Sequence, residues 1–150
     1  MIGNKALSIA LTQLNVREAT NHNDGPAVEG YLKAVGLNKG YSWCMAFIYW
    51  CTANAAKELM VSNPLKRTGS VMEQWNWAVA HHLSVTDPQP GDIFIIDRGN
   101  GKGHTGFVTA VRGEWLDTVE GNTNSAGSHD GDGVYTHTRN KSAMKGYIRV

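Results

Sequence analysis

Apolar residues recur at Ile2, Ala6, Leu7, Ala10, Leu11 and Leu14, and this spacing predicts a helix at the start of the chain. The polar run Thr20 to Gly25 reads as a loop. Pro26 then suits the first turn of a short helix that ends near Gly36. The most apolar helix, WCMAFIYWCTANAAKEL, runs from about Trp43 to Leu59. Asn63, Pro64 and Gly69 mark another loop, after which Ser70 and Glu73 form a capping box for a helix through about Ala80. The period then changes. Pro88, Pro90 and Gly91 punctuate the chain, IFIID reads as a buried strand, and RGNGKG as a hairpin-like turn. Residues His104 to Val111 alternate, as do Trp115 to Glu120, and Val134 to Thr138 and Gly146 to Val150 are placed to close a sheet. Asn122 to Gly133 is a polar, glycine-rich loop. Helices first and a mostly antiparallel sheet after predict an α+β fold. Its 150 residues suit one domain, 1–150, large enough to bury a core without staples.

Composition narrows the function classes. With 41% apolar and 18% charged residues the chain belongs with soluble globular proteins. Lys and Arg total 14 against 13 Asp and Glu, and no basic run is present, so a nucleic-acid partner is not expected. No apolar stretch reaches the roughly 18 residues of a membrane span, so no membrane insertion is expected. The first twenty residues lack the apolar core and cleavage site of a signal peptide. The expectation is synthesis in the cytoplasm without a signal, as a monomer. The two cysteines, Cys44 and Cys51, lie seven apart in one predicted helix. At about 1.5 Å rise per residue their α-carbons would be about 10.5 Å apart, beyond the ~7 Å a disulfide tolerates. They cannot pair with each other there. At least one is free for another task, or an intermolecular disulfide forms.

Cysteine catalysis requires a thiolate, a neighbouring base and donors for an oxyanion. Cys44 falls at a helix start, where unpaired N–H groups and the positive end of the dipole favour a thiolate and offer those donors. His104 opens a strand after the glycine-rich turn. Its face of that strand continues as Gly106, Val108 and Ala110, small or modest residues on which a helix is expected to pack and bring Cys44 to the imidazole. Glu120 and Asn122, two apart on the next strand, fall on one face. Either can orient His104 by accepting from its ring N–H.

The local sequence around these residues is more specific than their spacing. YSWCMAFIYWC, PGDIFIID, GHTGFVTAV and TVEGNTN occur in that order, and together they resemble the CHAP family, the cysteine, histidine-dependent amidohydrolases/peptidases. The upstream stretch REATNHNDGPAVEGYLKAVGL also resembles phage-type and effector-type members. The resemblance implies a papain-like fold and peptidoglycan as substrate. It implies Cys44 as nucleophile, His104 as base, and Glu120 and Asn122 as the orienting pair, with no metal or organic cofactor. Such enzymes include N-acetylmuramoyl-L-alanine amidases and peptidoglycan endopeptidases. They would act in the periplasm or cell wall after release as a phage lysin or delivery as an antibacterial effector, the latter with a cognate immunity protein. The tail after Asn122 departs from the pattern in being longer and richer in glycine. The rival class is a non-catalytic wall-binding module that keeps the fold.

Other residues are read as structural. One face of the cysteine helix carries Cys44, Phe47, Ile48, Cys51 and Ala55, which makes Cys51 a core residue. Trp43, Trp50, Trp75 and Trp77 are core or groove-lining. His81 and His82 are adjacent and diverge, a poor metal pair. His129 and His137 lie in or beside the polar loop and suit a solvated surface. Asn21, Asn23 and Asp24 around His22 loosely resemble a calcium loop but lack its carboxylates, so an ordinary turn is expected. DGDG at Asp130 to Gly133 is a flexible turn.

Overall fold

The computed structural model describes the whole chain except Ser125 and residues 128–130; the predicted roles of His129 and Asp130 lie outside the described residues. Four helices precede the sheet: α1 (Ile2–Leu11), α2 (Pro26–Ala34), α3 (Cys44–Glu58) and α4 (Val71–Ala80). Six strands follow: β1 (Ser84–Val85), β2 (Ile93–Gly99), β3 (Lys102–Arg112), β4 (Trp115–Thr123), β5 (Gly133–Asn140) and β6 (Gly146–Ile148). They form one sheet in the order β1-β6-β2-β3-β4-β5, and all its pairings are antiparallel. The fold is α+β and papain-like, as the sequence predicts. The two-residue β1 is an addition that the pattern does not signal. No helix among the described residues is long and apolar enough to cross a membrane.

Local chemistry accounts for the boundaries. Pro26 occupies the first turn of α2, where its missing N–H costs nothing. Ser70 caps α4 by accepting from the Glu73 N–H at 3.1 Å. The reciprocal half of the predicted capping box is absent: the Glu73 carboxylate pairs with Lys66 at 3.0 Å, and the Ser70 N–H donates to Thr68 Oγ1. Between β2 and β3 the chain reverses through Asn100-Gly101, both at positive φ (55° and 73°), the conformation an Asn-Gly hairpin favours.

The helices cover one face of the sheet. Ile93, Ile95, Phe107 and Val119 point to that side and share a core with the helices. α3 is central, in contact with α1, α2, β3 and β4. Its first turns are buried all round, from Cys44 to Ile48, so this helix sits inside the protein rather than on its surface. The opposite sheet face carries a smaller cluster of Phe94, Ile96, Val108, Leu116 and Tyr147. The Pro-Gly-Asp turn before β2 is clamped from the far end of the chain: Arg149 donates to both oxygens of buried Asp92, at 2.9 and 2.7 Å.

Candidate active site

Cys44 is the first residue of α3. The residue before it, Trp43, is fully buried. Its indole N–H donates to Glu18 Oε2 at 2.8 Å, Tyr31 stacks on its ring at 5.6 Å, and Glu18 Oε1 in turn accepts from the Asn23 N–H. The segment upstream of α3 thereby holds the helix start in place. No side chain caps that start and its first turn contains no acidic residue, so its N–H groups are left to face the sulfur.

The Met45 and Thr105 N–H groups act on the thiol, both favouring its charged form. Thr105 follows His104 on β3, so the thiol lies against the strand that carries the imidazole. The approach differs from the predicted one. Helices pack on the Phe107 side of β3, whereas Gly106 and Val108 face away from them. The space a Gly106 Cβ would need is taken by Phe94 Cε2 (2.6 Å) and Glu120 Cγ (2.7 Å). It is Gly121 on β4 that lets α3 come close: a Cβ there would meet Trp43 and Phe47 at 2.8–2.9 Å.

His104 is fully buried, and its Nε2 lies 2.8 Å from Glu120 Oε1. The Glu120 carboxylate feels burial first, which raises its pKa. Hydrogen bonds from Arg139 and His104 outweigh burial and hold it at about 2. An ionised carboxylate can only accept, so Nε2 carries the proton and Nδ1 keeps the lone pair. Nδ1 is buried and has no hydrogen-bond partner among the described residues. Asn122 is also buried, but at φ 54°, and the β4–β5 register shifts between Glu120 and Thr123. The strand alternation is interrupted there, and Glu120 makes the bond to the imidazole.

Burial works against the charge that a helix start favours. Burial pushes the Cys44 thiol up to about 11, and the N–H groups of Met45 and Thr105 only partly offset it. Burial likewise lowers the His104 pKa, with Glu120 opposing. Desolvation thus acts on both groups in the direction of their uncharged forms. Cys44 is 5% exposed, through a cleft of about 350 Å³ lined by Ser42, Gly69, Val71, Lys102 and Gly103.

The remaining candidates fall elsewhere. Cys51 is fully buried and free. Trp77 stacks on His81 at 3.7 Å. At the loop around His22, Asp24 accepts from the Thr20 N–H and hydroxyl, an ordinary side-chain-closed turn. Among the described residues no group of three His, Cys, Asp or Glu is placed to hold a metal ion. Sequence reasoning missed two residues, Glu18 behind Trp43 and Arg139 behind Glu120. Glu18 falls in the upstream stretch REATNHNDGPAVEGYLKAVGL, whereas Arg139 belongs to no local motif and meets Glu120 only through the β4–β5 pairing.

A cysteine at the uncapped start of a central helix, packed on an antiparallel sheet that carries a glutamate-bound histidine, is the arrangement of a papain-like fold. A profile of the CHAP domain matches residues 36–122, more than half of the chain, and the chain belongs to that family. Among solved structures, the crystal structure of Ly7917 is similar at TM-score 0.57 and 17% identity, over 98% of this chain and 62% of that one. The crystal structure of Ly7917 with the hydrolyzing product of MDP gives TM-score 0.54 with the same identity and coverage. At that identity the likeness shows the fold, and the chain spans 62% of the length of that protein's chain. A comparison with curated protein sequences gave no match.

Proposed function

We propose that this protein hydrolyses an amide bond in the peptide part of peptidoglycan by cysteine nucleophilic catalysis. The observation that carries the reading is the buried His104–Glu120 bond at 2.8 Å, in a chain whose central helix starts uncapped at a cysteine. Membership of the CHAP family supports it, as does the fold shared with Ly7917, one of whose structures holds the hydrolyzing product of MDP.

In this mechanism His104 Nδ1 takes the Cys44 proton as the sulfur attacks the carbonyl carbon. The oxyanion is held by N–H groups at the start of α3. The imidazolium, fixed by Glu120, then protonates the leaving amine. The C–N bond breaks and a thioester remains on Cys44. Water, deprotonated by the same nitrogen, releases the acid and restores the thiol. Glu120 orients the imidazole through Nε2. Action lies in the periplasm or cell wall, after release as a lysin or delivery as an effector.

The test is digestion of purified peptidoglycan with mass analysis of the fragments. Release of intact stem peptides identifies an amidase and shortened stems an endopeptidase. Near-full turnover by Cys44→Ala would refute the mechanism. Binding without cleavage by the unaltered protein would favour a wall-binding module.

A further inference from the structure

Glu120 makes more bonds than an orienting carboxylate needs. Its Oε1 accepts from His104 Nε2 at 2.8 Å and from Arg139 Nη2 at 2.6 Å. Its Oε2 accepts from the Thr118 hydroxyl at 2.6 Å and from Arg139 Nε at 2.5 Å. Four donors fill the roughly four lone-pair positions of a carboxylate. The guanidinium is itself anchored, donating to the Gly127 carbonyl at 2.9 Å and lying over the Phe94 ring at 5.8 Å. Its side chain is 15% exposed and that of Glu120 0%, so water does little to screen the pair.

We infer that Arg139 is a positioning residue for the His104–Glu120 pair: it fixes the carboxylate and offsets its charge, so that the imidazole stays a neutral base. A lone buried carboxylate beside a histidine stabilises the imidazolium and holds the proton on it. A carboxylate shared with a guanidinium presents nearly the field of a neutral pair. It then directs the ring without making it a poor base. The groups facing the pair are Cys44 from α3, Thr118 from β4, Arg98 from β2, and His137 and Arg139 from β5. Arg98 and Arg139 both act against protonation of His104, and Arg139 is the one bonded to Glu120.

The inference rests on His104 serving as the base, and its test reads the imidazole directly. The His104 titration is followed by NMR in the full chain carrying Cys44→Ala, with and without Arg139→Met. The expected midpoint rises by about one pH unit or more when the guanidinium is lost. With Cys44 intact, Arg139→Met should move the acid limb of kcat/KM upward by the same amount, with activity recovering at alkaline pH. Coincident midpoints would overturn the inference, as would a uniform loss of kcat with no shift of the limb. A shifted midpoint in a protein that hydrolyses nothing would sink the hydrolase reading and leave the electrostatic role of Arg139 standing. If Arg139→Met does not fold, Arg139→Lys substitutes for it. With the charge kept, the midpoint should stay near that of the parent while kcat falls, and a rise as large as a full unit would overturn the inference.

Discussion

Gly121→Ala tests whether the docking of α3 on β4 sets the position of Cys44. The added Cβ would lie 2.8 Å from Trp43 Cζ3 and 2.9 Å from both Cβ and Cδ2 of Phe47. Carbon atoms settle at about 3.5–4.0 Å, so roughly 0.7 Å of extra room is required. Neither ring can swing away, since both are fully buried and Trp43 is tied to Glu18. The helix itself must lift. Overpacking of this kind costs about 1–3 kcal/mol. For a chain of this length each kcal/mol lowers Tm by about 2–4 °C, so a fall of about 2–12 °C is expected in thermal denaturation followed by circular dichroism. Cys44 moves with α3, while His104 is held through Glu120. A displacement approaching 1 Å at a reacting group can cost about 100-fold, so kcat in peptidoglycan turbidity clearance should fall by about 10- to 100-fold. A variant with the Tm of the parent would refute the packing argument. A lowered Tm with unchanged kcat would refute the link from packing to the site.

Glu120→Gln should lower kcat more than Asn122→Ala, measured at saturating substrate; the reverse ranking would give the orienting role to Asn122. Acid should destabilise the fold in two stages, read from urea midpoints against pH. As pH falls below 6.5, unfolded His104 takes up a proton that the buried ring resists. Between 4.5 and about 2 the unfolded Glu120 carboxyl is protonated before the folded one, and the stabilisation it supplies above that window is lost. Midpoints that stay flat from pH 7 to pH 3 would contradict both. Gly30→Ala, on an exposed helix position with nothing within 4 Å of the new Cβ, should raise stability by about 0.4–1 kcal/mol. A lowered Tm there would mean that α2 is not as the structure has it.

What the sequence determined by itself was whatever depends on neighbours along the chain. The helices follow from apolar spacing, Pro26 and the Ser70 cap, and the β2–β3 hairpin from Asn100-Gly101, because these signals act within a few residues. The α+β order and the family follow from the same local record, since the motifs around Cys44, His104 and Glu120 are each short and contiguous. Tertiary structure decided what depends on burial and on pairing between distant segments. It put His104 on the sheet face away from the helices, because Phe94 and Glu120 fill the space beside Gly106. It bonded Glu120 to the imidazole across the β3–β4 pairing. It buried Cys44, which raises the thiol pKa, because desolvation is a property of the assembled core. It brought Glu18 to Trp43 across 25 residues and Arg139 to Glu120 across 19. Neither separation carries a period or motif, because a side chain's partner across a fold is set by where the backbone folds back and not by the residues beside it.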